Sequence, residues 1–333
     1  HAFSNKNAIS ILKNSQINVY HDKIEKVIRI KKMSERYDHK IIGKIDLHLP
    51  FNTNLRGTIK NSDLTISKVR GTIAINTEST DSDLNNLNGN INITTRGGNI
   101  SATKLSGEME LTVVSGDINI FDCDANSMLT MDNGNIFING LKGNLLSNTT
   151  LGETMVSNYE GESSVFNINV GNLKINKSKS NINATIDIGS VNINNIQGAT
   201  TIFTGKGEIN LNNIIGDVNC NTNFGNVNGI NLFGKINANS ELGDIEINKG
   251  YNSFLKDHSV NIATKRGSIS VRLPSDLPYA INSQCHNLET RNAISSEIPL
   301  DEEFLSAKVV AQGKIKEGTI SCNLSSNYGP ISI

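Results

Sequence analysis

Several residue groups in this 333-residue chain have types and spacings that could do chemistry. GINLFGKI at 229–236 has the glycine and lysine spacing of a phosphate-binding loop, where backbone N–H groups and a Lys amine cradle phosphates. It lacks the Ser or Thr after Lys235 that would hold magnesium. Asp117, Asp217 and Asp244 each follow a glycine, as aspartates do in calcium-binding nonapeptide rolls, but singly and without paired glycines. Glu208, Asp244 and Glu246 are carboxylates that could approach one another, as a glycoside-cleaving pair must. Ser-x-x-Lys occurs at 10–13 and 253–256, although its nucleophilic version opens a helix and neither context predicts one. The six histidines, at 1, 21, 39, 48, 258 and 286, form no HExxH pair, though His21 and His48 could meet near the N-terminus. Cys123, Cys220, Cys285 and Cys322 form no CxxC pair and read as buried free thiols. No group completes its motif, so no catalytic residue, metal or cofactor is expected.

The elements that carry these residues explain why. Glycines fall at multiples of nine residues, at 71, 89, 98, 107, 116, 134, 143, 152 and 161, slip by one residue to 171, and resume from 189 to 243. Apolar residues follow each at offsets two and four, as in Ile91 and Ile93 or Ile118 and Ile120. That period of two places them on one face of a strand. Alternate nonads differ. One kind carries a third apolar residue at offset seven (Leu105, Leu141, Ile196, Ile214, Leu232), and the other a small hydroxyl residue at offset six (Thr95, Thr149, Thr204, Thr222, Ser240). The unit is therefore about 18 residues, two strands and two tight turns. A lone unit cannot bury its apolar face, whereas stacked units share one.

The expected fold is all-β: a single-stranded parallel β-solenoid (β-helix) with about 18 residues per coil, eleven or twelve coils and terminal caps, about 50–60 Å long at the spacing of stacked strands. Residues 1–60 are assigned to N-terminal strands and cap, including SQINVYH, KVIRIKK and KIDLHLP. Residues 61–273 are the solenoid, and 274–333 a C-terminal cap with closing strands and an acidic turn, LDEEF, all as one structural domain. The frame breaks at 250–258, where YNSFLKDHS holds about six extra residues. Composition agrees: aromatics are 5% and Trp is absent, which suits a narrow core of Ile, Leu and Val, and Asn, with 50 residues, favours turns. The net charge of −1 shows no basic excess for nucleic acid. No apolar run reaches the roughly 18 residues that would span a bilayer. The chain begins at His1 without Met, so a signal or anchor is expected to have been removed.

The pattern resembles a bacterial adhesin family of β-solenoids similar to head-GIN adhesin domains. The likeness rests on the entry IDLHLPFNTNL, the repeats GDINI, GNIFI and GDIEI, and the exit GSISVRLPSDLPYAINS closing on GKIKEGTISCNLSSNYGPISI. It covers nearly the whole chain and is specific for fold rather than ligand. It implies a secreted or envelope-associated, extracytoplasmic protein, not an enzyme, and offers no catalytic residues to carry over.

The outward offsets are where a binding surface would show. They are mostly Asn, Ser and Thr, with few charges. Phe121, at offset five, and Phe137 and Met155, both at offset three, are apolar exceptions in three successive coils of one sheet. Stacking would pair Phe137 with Met155 and set Phe121 diagonal to them. Leu146 and Phe166 form a smaller expected pair on the opposite sheet. Such a patch often marks an interface or sugar-stacking surface; cover by a terminal cap segment, or simple stacking between coils, is the alternative. The expected function is a cell-surface adhesin or binding scaffold for an unknown protein or glycan. A polysaccharide-acting enzyme of the β-helix type and a structural spacer without a ligand are the alternatives.

Overall fold

The computed structural model describes residues 17–22, 27–32, 49–286, 293–305 and 308–333. The chain divides into two compact units, His1–His48 and Leu49–Ile333. In the first, Ile17–Asp22 and Val27–Lys32 pair as an antiparallel hairpin. The KIDLHLP strand expected near its end lies outside the described residues, apart from Leu49 and Pro50.

The second unit is a β-solenoid of about 11 turns, built from parallel strands about 18 residues apart. Each coil contributes to two sheets. The first sheet starts at Leu55–Lys60, inside the segment expected to be cap, and stacks through Ile73–Glu78, Asn88–Thr95 and Ser106–Ser115. It continues as far as Val260–Arg266. The second runs from Leu64–Ser67 to Ile269–Arg272. Residues at offsets two and four point inward in both, and those at offset seven form a third inward column. There Cys123, Leu141, Tyr159, Ser178, Ile196, Ile214 and Leu232 stack in register. The core is thus a set of columns of side chains one coil apart, filled mainly by Ile, Leu and Val.

The turns explain the remaining letters of the repeat. Gly134 has φ +145, and a Cβ there would stand 1.7 Å from the Gly116 carbonyl oxygen directly below. Only a residue without Cβ fits a column of turns stacked this closely. The Asp or Asn after the glycine accepts the backbone N–H of its counterpart one coil on. Examples are Asp117 Oδ1 from Asn135 at 2.8 Å, Asn99 Oδ1 from Asp117 at 2.8 Å and Asp217 Oδ1 from Lys235 at 3.0 Å. Three of the inward hydroxyls at offset six donate to turn-glycine carbonyls: Thr204 to Gly207 at 3.2 Å, Ser240 to Gly225 at 3.1 Å and Thr264 to Gly243 at 3.1 Å. A buried carbonyl left unpaired would cost about 1–3 kcal/mol, so a small hydroxyl serves better than an aliphatic group at this place.

The C-terminal end departs from simple winding. Ile320–Ser326 stacks on Val260–Arg266 as the next rung, and Tyr279–Cys285 lies beyond it although it comes earlier in the chain. The last strand of this sheet in sequence is therefore inserted between two earlier ones. Two antiparallel strands, Lys308–Lys314 and then Leu300–Leu305, complete the sheet. The LDEEF segment is thus an edge strand rather than the expected turn. Its exposed Asp301, Glu302 and Glu303 oppose the addition of a further strand.

Candidate functional site

The patch expected at Phe121, Phe137 and Met155 is assembled by the register. Phe137 pairs with Met155 in adjacent coils, and Phe121 pairs with Asn139, which sets it diagonal to Phe137. Phe121 is 40% exposed, and Phe137 and Met155 are half-buried. Together with Asn139, Asn176 and Lys177 they line a shallow depression of about 380 Å³ on the second sheet. The aromatic faces supply apolar contact area, while the amides and the Lys amine supply donors and acceptors at the rim. Sugars and polar protein loops present this same mixture. Lys177 sits in the left-handed backbone region at φ 57, in a corner column shared with Asn158 and Asn195.

The second expected pair is corrected. Leu146 is half-buried and faces outward, but Phe166 is fully buried at 0% exposure. The one-residue slip in the glycine series is absorbed between Glu160 and Ser163, before Phe166 rather than after it, so Phe166 is turned to the inside. Its neighbours in the core column are Ser147 and Ala184, whose small side chains leave room for a ring. Tyr159 stands at the same irregularity, its hydroxyl 2.8 and 2.9 Å from the Gly143 and Ser163 carbonyls. The outward partner of Leu146 is Val165, and Met128, 42% exposed, precedes them in the column.

The other chemical groups are held in structural roles. Within GINLFGKI, Gly229 is an inward strand residue paired with Leu211 and Ile247, where a Cβ would meet Leu232 at 2.5 Å. No helix follows it, and the Gly234 carbonyl accepts the Lys249 amine at 2.6 Å. Asp244 accepts from Ser268 N at 2.6 Å and Ser268 Oγ at 2.8 Å. Glu208 and Asp244 stand two coils apart, with Asn226 between them. Among the described residues no cluster of His, Cys, Asp or Glu could hold a metal ion. His48 and Ser10–Lys13 lie outside the described residues. All four cysteines are free and buried, and burial pushes the thiols of Cys220 and Cys322 up to about 12.

Sequence reasoning missed the most unusual interior residue. Lys249 occupies the third core column directly after Leu232, and is only 4% exposed. Its amine donates to the carbonyls of Phe233 at 2.8 Å, Gly234 at 2.6 Å, Leu232 at 3.2 Å and Gly250 at 3.3 Å. Burial lowers its pKa to about 8, against the opposing pull of Asp217 and Asp257. Here the extra residues after Gly250 leave the coil; the amine meets the Phe233 and Gly234 carbonyls, and shares the Leu232 carbonyl with the Gly250 N–H, which donates to it at 2.8 Å. His258, also buried, contacts the Phe233 carbonyl at 3.1 Å through Nδ1, and Tyr279 donates to the His258 carbonyl at 3.1 Å. The signal was available, since Lys249 stands two residues after the inward Ile247 where the alternation calls for an inward residue.

No protein-family model matches this chain, and no curated protein or solved structure matches it either. Among the described residues, no helix is long and apolar enough to cross a membrane.

Proposed function

We propose that this chain is a non-enzymatic, extracytoplasmic binding scaffold of the adhesin type, which engages a surface glycan or protein through the Phe121–Phe137–Met155 depression. The observation that carries the reading is the contrast on the second sheet. Most outward amides bond to one another along the rod, as Asn228 to Asn210 at 2.9 Å and Asn210 to Asn192 at 3.2 Å. Side chains bonded in this way have fewer donors and acceptors to offer a partner. The depression's rim amides Asn139 and Asn176 belong to such pairs too, accepting from Asn158 at 2.6 Å and Asn195 at 3.1 Å, so what sets it apart is its apolar surface on a rigid stack of parallel strands. Cell-surface placement is supported by the G-[DN]-I-x-I repeats and the exit segment, which resemble adhesin-type solenoids. The test is a glycan array together with capture from native envelope extract, using the full chain and the double variant Phe137→Ser/Met155→Ser. The variant should stay folded by circular dichroism and lose at least tenfold in capture. Undiminished capture by the folded variant would sink the proposal.

A further inference from the structure

A second apolar feature lies on the first sheet, at the residue just before each turn glycine. Leu151, Val170, Ile188, Lys206, Phe224 and Leu242 pair in register through six successive coils. The apolar members are 48%, 42%, 52%, 54% and 37% exposed, in that order, which makes a continuous ridge interrupted only by Lys206. Asn133 precedes Leu151 in this column, and Arg266 follows Leu242. From Asn133 to Arg266 the column spans eight rungs, about 34 Å at about 4.8 Å per rung. A ridge of this length with scattered charge is unlike the single exposed apolar residues that any surface carries.

The charges along the ridge select the occupant. Asp132 flanks the first rung, Asp187 the fourth and Glu241 the seventh, Lys206 is the fifth, and Lys265 and Arg266 mark the eighth; Lys265 is already paired with Glu241, which leaves Arg266 as the terminal cation. Suppose a second copy lies antiparallel, with the two-fold axis midway between the Ile188 and Lys206 rungs. Leu151 then meets Leu242 of the other copy, and Val170 meets Phe224. Each Lys206 lies over the other copy's Ile188 rung and reaches the flanking Asp187, and each Asp132 reaches the rung of Arg266. Outside that central pair every apolar rung faces an apolar one, and the central and terminal charges face opposite signs. A parallel in-register pairing would instead set Lys206 against Lys206. Among the described residues, Asp132, Asp187 and Lys206 make no salt bridge within the chain, so their charges are free to serve between chains. The ridge is self-complementary in one register, as a two-fold interface must be.

We infer that this protein forms an antiparallel two-fold dimer along the Leu151–Leu242 ridge, a surface separate from the depression at Phe137. The ridge is narrow compared with the roughly 800 Å² per partner of a standard interface, so the dimer should be of micromolar strength. Sedimentation equilibrium of the full chain should show monomer and dimer in exchange between about 1 and 100 µM, the range that such an affinity sets. Phe224→Ser should weaken association at least tenfold while leaving the circular dichroism spectrum intact. Lys206→Asp should abolish the dimer by facing Asp187 with a like charge. The double variant Asp187→Lys/Lys206→Asp should restore it, and the double variant's recovery separates pairing at this register from a change in folding. A chain that stays monomeric throughout that range overturns the inference. So does a dimer that neither single variant weakens, or a charge-swapped double variant that remains monomeric.

Discussion

Two stretches of one outward column on the second sheet share backbone geometry and differ only in what their side chains do. From Asn192 through Asn210 to Asn228 the column is an amide ladder, each donating to the one before. Earlier in the same column stand Phe137 and Met155, with Lys174 between them and the ladder. The core behind both stretches is the same: Val191 and Ile193 in one, and Ile136 and Ile138 in the other, all buried. The solenoid therefore tolerates either exterior at no change to its interior. Where the amides repeat they spend their hydrogen bonds on one another, and where the repeat is broken apolar surface becomes available to a partner. Lys249 is the complementary case, in which the exception points inward and is met by carbonyls instead of by a partner.

The largest effect should come from an element that both stretches share. Gly134→Val would force a Cβ into the Gly116 carbonyl, and nothing but backbone can give way. It should cost more than about 3 kcal/mol, measured by urea unfolding, or prevent folding altogether. A variant as stable as the parent would show that the turn column is looser than these contacts require.

Lys249 should leave a mark on the pH dependence of stability. Its folded pKa of about 8 lies below the ordinary value of 10.5, so the unfolded chain binds more protons between those values. The contribution of this group should therefore rise as pH increases from about 8 towards 10.5, and be lowest and level below 8. Urea unfolding of the parent and Lys249→Met at pH 7.5 and 9.5 measures the difference. The parent should gain more than the variant over that interval, and equal gains would remove Lys249 as the source.

The smallest effect sharpens the comparison directly. Asn210→Ala removes a donor to Asn192 and an acceptor for Asn228, and should cost about 1 kcal/mol. Phe137→Ser, half-buried on the same column, should cost no more than Asn210→Ala, about 1 kcal/mol, if its ring is surface kept for a partner. Thermal unfolding of the two side by side decides the matter. A Phe137→Ser variant that loses more stability than Asn210→Ala would mean that the patch is packing surface rather than free surface.

Much of this molecule could be read from its residues. The glycine spacing and the alternation after each glycine assign the coil length, the inward columns and the inward cysteines Cys123, Cys220 and Cys322, because period and side-chain direction are local properties of a strand. The pairing of Phe137 with Met155 followed too, since a constant period carries register from coil to coil. The location of the slip did not follow. A spacing of ten between Gly161 and Gly171 states that one residue is added, but not where, and packing decided it by seating Phe166 between Ser147 and Ala184. The ridge from Leu151 to Leu242 was equally present in the letters, at a position outside the alternating offsets, and stacking is what makes those separate residues one surface. Nor could local pattern announce that Ile320–Ser326 inserts beneath Tyr279–Cys285, or that the Asp and Asn after each turn glycine answer an N–H one coil away. The sequence by itself determined the period and the inside of each coil, which depend on near neighbours along the chain. The tertiary structure decided which distant residues meet, because hydrogen bonds and volume are balanced between coils and not within them.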